Sequence, residues 1–127
     1  MEINLPDVVA EVTAAFLKYQ RAVDTNDAGV MNELFWDSPS TLRYAPNGTL
    51  LGYAAIAAFR TGRSGGGVAR TLKDTVITTF GRDFAATNTE STRPGTSTVS
   101  RQSQAWVRLP EGWRIVAAHV SDQPQTP

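Results

Sequence analysis

Arg43 is a charged side chain in the middle of a short hydrophobic strand, within the segment STLRYAPNGTLLGY (residues 40–53). Strand alternation puts Arg43 on the face opposite Leu42 and Tyr44. Arg43 therefore points either to solvent or beneath the helices that precede the strand. An inward guanidinium needs an anionic partner, since an uncompensated buried charge is very costly. We expect that partner to be a protein acid or a ligand carboxylate.

Tyr19 is the second residue that can do chemistry. It falls on the apolar stripe of a predicted helix over residues 7–24, together with Val9, Val12, Phe16 and Val23. Periodicity alone favours a core aromatic whose hydroxyl bonds to a neighbour. A buried phenol can also donate a proton to a carbonyl oxygen or to a leaving nitrogen.

Six further residues are candidates for binding a substrate. Arg60 and Arg63 lie one helical step apart and form either a second carboxylate site or an exposed basic face. In RQSQAWVRL, Gln102 shares one strand face with Gln104 and Trp106, and either face can be the inner one. The remaining candidates are Trp36, beside Phe35 in a packed wall, and His119, the only histidine, for which a hydrogen-bonded core position is the commoner outcome.

The composition is that of one soluble domain. The chain has 127 residues, of which 41% are hydrophobic and 19% charged, with a mean hydropathy of -0.24 and no cysteine. No leader pattern and no apolar run of about 20 residues is present, so we expect a cytoplasmic protein that does not enter a membrane. A net charge of zero argues against nucleic-acid binding, although residues 41–127 hold ten cations against five acids.

The pattern of elements predicts an α+β fold. A second helix is expected over DAGVMNELFW, then the hairpin, a third helix over AAIAAFRTGR, and strands at about 69–80, 83–91, 97–109 and 112–121. These strands should form a curved antiparallel meander with the first helix across its concave face. We expect a single domain over residues 1–127, with an ordered core at about 5–121.

This order resembles the cone-shaped fold of ketosteroid isomerases, nuclear-transport-factor-like proteins and SnoaL-type enzymes, which encloses one pocket. The segments FLKYQRAVDTND, ELFWDSPSTLRY, LGYAAIAAFRTGR and RQSQAWVRLPEGWRIVAAHVS are similar to the AtzH-like family, and the similarity runs from about Leu5 to Ser121. Two departures stand out. Gln20 replaces a usual glutamate, which should be harmless on an outer helix face, and the turn Ala45-Pro46-Asn47-Gly48 lacks the usual acid, which should reshape the pocket mouth.

The resemblance implies an activity, the conversion of 1,3-dicarboxyurea to allophanate. This is a decarboxylating amidohydrolase step of cyanuric acid (s-triazine) breakdown and of nitrogen metabolism. Tyr19 and Arg43 are the implied catalytic residues, because the departing nitrogen needs a proton and the carboxylates need a cation. Both hydrolysis and direct decarboxylation remain open at this point. No metal motif is present, and we expect an enzyme without a cofactor.

Two other functions compete with this interpretation. One is a non-catalytic accessory or ligand-binding dimer that assists a partner amidase, such as one that consumes carboxybiuret. The other is a SnoaL-type isomerase or cyclase with a larger apolar substrate. In each case we expect a homodimer formed through the outer sheet face, with contacts drawn from Trp106, Val107, Trp113 and Ile115.

Overall fold

The first helix supplies the largest part of the layer that covers the sheet. The computed structural model describes residues 1–124, and α1 spans Pro6–Thr25. Pro6 begins the helix, where its missing N–H costs nothing, and Asn26 ends it in a left-handed conformation with φ 53°. The helix buries one face, made by Val8, Val12, Phe16, Tyr19, Gln20 and Ala22.

Two short helices complete the helical layer. In α2, Ala28–Glu33, the Oδ1 of Asp27 accepts a hydrogen bond from Val30 N (3.2 Å) as the N-cap. This helix ends before Leu34 and Phe35, which we had expected inside it and which are buried just beyond its end. The third helix, α3, spans Tyr53–Thr61. None of the helices described in residues 1–124 is long and apolar enough to cross a membrane.

Six strands form one curved sheet. They are β1 (Leu42–Ala45), β2 (Gly48–Leu51), β3 (Thr71–Phe80), β4 (Phe84–Thr92), β5 (Thr98–Leu109) and β6 (Gly112–Pro124), in the order β2-β1-β6-β5-β4-β3. The four long strands pair antiparallel, as predicted, and β1 lies parallel to β6. The α+β class expected from the sequence is confirmed.

The core lies between the helices and the inner face of the sheet. On β5 the inner residues are Gln102, Gln104 and Trp106, which settles the question that alternation left open. Trp106 is fully buried, and its Nε1 donates to Thr87 Oγ1 (2.9 Å). The Thr87 hydroxyl in turn donates to Gln104 Oε1 (3.1 Å). A small polar network therefore lies inside the core.

The segment between α3 and β3 closes one end of this layer. A Cβ at Gly67 would lie 1.9 Å from the carbonyl oxygen of Asp24, so only glycine permits this approach to the end of α1. Nearby, Asn26 Nδ2 donates to the Gly65 carbonyl (2.9 Å). The glycine-rich segment is thereby held against the C-terminal end of α1.

The outer face of the sheet differs from our expectation. Trp106 and Ile115 are fully buried on the inner side and Trp113 is 7% exposed, so the proposal that these three lie at an exposed dimer contact is wrong. Val107 has the outward orientation. The outer face instead carries a shallow groove of about 400 Å³, whose lining includes the outward-facing residues Leu42, Tyr44, Ala86, Asn88, Ser103, Ala105, Ala117 and His119.

We propose that two copies of the chain pack through this groove as an isologous dimer, because its lining is apolar and holds no Asp, Glu, Lys or Arg. Ala105→Glu should break such a dimer, since each copy would bury a carboxylate in the contact. Sedimentation velocity at micromolar concentration should show twice the 13.7 kDa chain mass for the unmodified protein and the single mass for the variant. Ala54→Glu, on exposed α3 surface, is the matched control. An unmodified protein that sediments as one chain would contradict the proposal.

Candidate functional site

The inner face of the sheet and the helices enclose a cavity of about 200 Å³. Residues from α1, α3, β1, β4, β5, β6 and the glycine-rich segment line it. Within the described part of the chain, the lining holds no Asp or Glu and has five arginines: Arg43, Arg60, Arg63, Arg70 and Arg93. The cavity is therefore strongly cationic.

Tyr19 and Arg60 meet at the deep side of the cavity. Both are buried, at 2% and 3% exposure, and Arg60 Nη2 donates to Tyr19 Oη (2.5 Å). Arg60 Nη1 contacts the sulfur of Met31, and the guanidinium carbon lies 5.7 Å from the ring centroids of Tyr19 and Phe35. Because the guanidinium only donates, the phenol oxygen accepts and its own hydrogen remains free for a ligand.

Arg43 points inward, into the same cavity. It pairs in register with Ala118 of β6, whose side chain also faces the core. Its Nη1 is buried without a hydrogen-bond partner among residues 1–124, and its guanidinium carbon lies 5.5 Å from the ring centroid of Phe59. Burial lowers the pKa of Arg43 below its ordinary value, and the positive charges of Arg60 and Arg63 lower that pKa further.

Arg63 lies nearer to solvent than Arg43 and also contacts the ring of Phe59. Its guanidinium carbon is 5.7 Å from the Phe59 ring centroid, and the side chain belongs to an exposed residue after the end of α3. Within the described residues, Arg43, Arg60 and Arg63 form no salt bridge. Three positive charges thus converge on the cavity without a protein carboxylate to neutralise them.

Arg70 is held differently, by a protein acid. Its Nε donates to Asp24 Oδ1 (2.6 Å) and its Nη2 to Gln20 Oε1 (2.7 Å). Gln20 Nε2 then donates to Gln102 Oε1 (2.6 Å). Gln20 is 3% exposed, so the expectation that it lies harmlessly on an outer helix face is wrong.

Four predicted site residues do not reach the cavity. Trp106 and Gln104 are buried in the core beside it, where Gln104 Nε2 has no partner among the described residues. Trp36 lies away from the lining and donates its backbone N–H to the Ile115 carbonyl (2.9 Å). His119 is exposed on the outer face, with its ring centroid 6.0 Å from that of Tyr44.

A bulge explains the error at His119. Trp106 pairs with Ile115 but Ala105 pairs with Ala117, so Val116 is an extra residue that reverses the alternation of β6. Strict alternation from Ile115 would have placed His119 inside. The turn at Pro46 and Asn47, expected to shape the pocket mouth, also lies outside the cavity lining.

Some cavity residues were missed by the sequence argument. Arg70 and Gln102 line the cavity together with Arg93 and Ser100. Gln102 was recognised only as a residue on the same strand face as Gln104 and Trp106. Strand alternation, which puts it on the inner face with these two residues, is the signal that identifies it. Arg70 carries no local signal, because its partners Gln20 and Asp24 are 50 and 46 residues away.

Comparisons with known proteins agree with this architecture. A protein of unknown function from Pectobacterium atrosepticum superposes with a TM-score of 0.91 at 50% identity, covering 95% of this chain and 94% of that one. A protein with a cystatin-like fold from Burkholderia xenovorans gives a TM-score of 0.92 at 48% identity and 99% of each chain. A nuclear transport factor 2-like protein from Salmonella enterica gives 0.71 at 30% identity, over 95% and 94%.

The sequence comparison identifies the family. No curated protein matches the chain. The sequence model of the AtzH-like family matches residues 1–126, nearly the whole chain. Together with the nuclear-transport-factor-like neighbours, this shows that the protein belongs to the AtzH-like family.

Proposed function

We propose that the protein is a decarboxylating amidohydrolase that converts 1,3-dicarboxyurea to allophanate in cyanuric acid catabolism. The observation that carries the proposal is the convergence of Tyr19 with the unpaired guanidinium groups of Arg43 and Arg60 in one small cavity. Guanidinium groups match carboxylates in shape and charge. A ligand with two carboxylates supplies the negative charge that the protein leaves out.

Tyr19 supplies the proton in this proposal. When the N-carboxyl group leaves as CO2, the C–N electron pair remains on nitrogen, which is a poor leaving group until it is protonated. The Tyr19 hydroxyl hydrogen is free because its oxygen accepts from Arg60. The positive charge of Arg60 also stabilises the phenolate that forms as the proton moves.

Arg43 holds the carboxylate that stays. A cation on the departing carboxylate would stabilise the substrate more than the transition state, since negative charge moves off that group during the reaction. Arg43 is half-buried and Arg63 is exposed, and both guanidinium groups lie over the ring of Phe59. The guanidinium of Arg43 therefore orients the ligand so that the other carboxyl group meets Tyr19.

The cavity gives less support to the two competing functions. A volume of about 200 Å³ with five arginines does not suit a large apolar substrate of an isomerase or cyclase. A non-catalytic accessory dimer predicts a filled cavity without an accessible Arg43, whereas Arg43 lines an open one. We place the reaction in the cytoplasm, next to an amidase that consumes carboxybiuret.

The direct experiment adds the purified protein to the product mixture of a carboxybiuret-consuming amidase and follows allophanate with time. Allophanate should appear faster than in a sample that receives heat-inactivated protein. The same rate in both samples would refute the proposed activity.

Arg43→Lys should lose most of the turnover although the charge is retained, because an ammonium group cannot reproduce the planar two-point contact of a guanidinium with a carboxylate. The measurement is a steady-state rate with dicarboxyurea. Arg21→Lys, on exposed α1 surface, is the matched control and should keep the normal rate. Near-normal turnover of Arg43→Lys would show that a two-point contact of Arg43 with a substrate carboxylate is not part of the mechanism.

Tyr19→Phe tests the proton donor. The ring stays in the helix stripe, and the loss of the acceptor for Arg60 should cost about 1–3 kcal/mol of unfolding free energy. Turnover should fall by on the order of 100-fold or more if the phenol donates the proton. A thermal melt paired with the rate separates the two effects. A folded variant with unchanged turnover would leave an ordered water as the proton source.

Arg60→Met should make the ligand-free protein more stable and inactive. Arg60 is 3% exposed with no carboxylate partner in the described structure, and replacing buried ionic groups by apolar ones of similar volume often stabilises a protein by about 1–4 kcal/mol. Urea unfolding measures the change. Arg21→Met, at an exposed position, should shift stability by no more than about 0.5 kcal/mol. A large loss of stability in Arg60→Met would show that its contacts outweigh its desolvation.

A further inference from the structure

Gln102 lines the cavity, and the orientation of its side-chain amide is set by a series of hydrogen bonds through Gln20, Arg70 and Asp24. The guanidinium of Arg70 carries only hydrogen-bond donors. The Gln20 atom that lies 2.7 Å from Arg70 Nη2 must therefore be the oxygen, Oε1. The Nε2 of Gln20 then faces Gln102. The Gln102 atom that lies 2.6 Å from it must be the acceptor, Oε1.

The consequence is a fixed polarity at Gln102. Its Oε1 is engaged by Gln20, so its Nε2 is the part of the amide that remains for the cavity. Turning Gln20 around would set its NH2 group against the guanidinium of Arg70, donor against donor. Such an arrangement leaves buried donors unsatisfied, which costs far more than the bond gains.

Asp24 anchors the series at its other end. The Asp24–Arg70 pair is short, at 2.6 Å, and the Arg70 side chain is only 9% exposed. Arg70 Nη2 also donates to the Gln20 backbone carbonyl (3.2 Å), which ties the guanidinium to α1. Because Arg70 and Gln20 are shielded from water, solvent does not compete for these hydrogen bonds. The pairing of Asp24 with Arg70 therefore fixes the orientation of the Gln20 amide and, through it, that of the Gln102 amide.

Gln102 also lies at a useful place relative to Arg43. The two residues are on the inner face of strands β5 and β1, with β6 between them. Two strand spacings separate their backbones by about 10 Å in the hydrogen-bonding direction. A ligand held by Arg43 at one end can therefore present a second oxygen to Gln102.

We propose that Gln102 is a specificity-determining residue that donates from Nε2 to an acceptor oxygen of the ligand, and that Asp24, Arg70 and Gln20 are the positioning residues that fix this polarity. The ligand class, a dicarboxylate with a central carbonyl, rests on the proposed function. The site selects oxygen acceptors at this point and rejects ligands that place a donor there.

The test is a binding cycle that does not depend on turnover. The probes are glutarate and 3-oxoglutarate, in which methylene groups replace the urea nitrogens, and calorimetry in the cold gives each dissociation constant. The proteins are the unmodified chain, Gln102→Leu, Gln20→Glu and the double variant. Thermal melts establish that each is folded.

Gln102→Leu should bind at least one probe about tenfold more weakly, because it lacks the donor. Gln20→Glu presents only acceptors to both neighbours, so the Gln102 NH2 group should turn toward residue 20 and leave its oxygen in the cavity. We expect this variant to bind worse than Gln102→Leu. In the double variant residue 102 has no amide that can turn. Its dissociation constants should therefore differ from those of Gln102→Leu only by the effect of the added charge at residue 20.

A non-additive cycle of this kind supports the inference. It is overturned by equal affinities of the unmodified protein and Gln102→Leu for both probes, by an additive cycle, or by the failure of the unmodified protein to bind either probe. The protein could also bind the probes with this dependence on Gln102 and yet not consume dicarboxyurea. That result would refute the proposed activity and leave the inference about Gln102 intact.

Discussion

The structure depends on two positive charges that the protein does not neutralise. Arg43 and Arg60 bring guanidinium groups to the inner face of the sheet, and no carboxylate in the described chain pairs with them. Removing an ion from water costs several kcal/mol even after relaxation. Aromatic rings, the Met31 sulfur and the Tyr19 oxygen offset part of this cost. An anion that entered the cavity would recover part of the remainder, which is why we propose a charged ligand.

Arg70 shows what a paired arginine does in the same cavity. Its charge is matched by Asp24, and its Nη2 donates to both the side-chain and the backbone oxygen of Gln20. A guanidinium whose charge is paired in this way contributes little attraction for a ligand. It instead determines the orientation of the side-chain amide of Gln20 and, through Gln20, that of Gln102. The cavity thus uses one residue type for two purposes, and the presence or absence of a partner acid separates them.

Local signals predicted most of the elements and the inward position of Tyr19. The three-four spacing of α1 places Tyr19 inside, whereas strand alternation left two orientations for Arg43, to solvent or to the cavity, of which the structure has the second. The errors arose where local rules fail. The extra residue at Val116 reverses β6 and turns His119 outward. Alternation groups Gln102, Gln104 and Trp106 on one face of β5, but it shows neither that this face is the inner one nor that Trp106 is core and not cavity wall. The contact between Gln20 and Gln102 joins residues 82 apart and has no local signal.

The charge balance of the cavity also bears on how a product would leave. In the proposed reaction the ligand enters with two carboxylates and allophanate keeps one, since the other departs as CO2. An attraction between unpaired guanidinium groups and an anion scales with the ligand charge, and low dielectric strengthens it. Arg43 and Arg60 would therefore hold the dianion more tightly than the monoanion. The same uncompensated charges would therefore draw the substrate in more strongly than they hold the product.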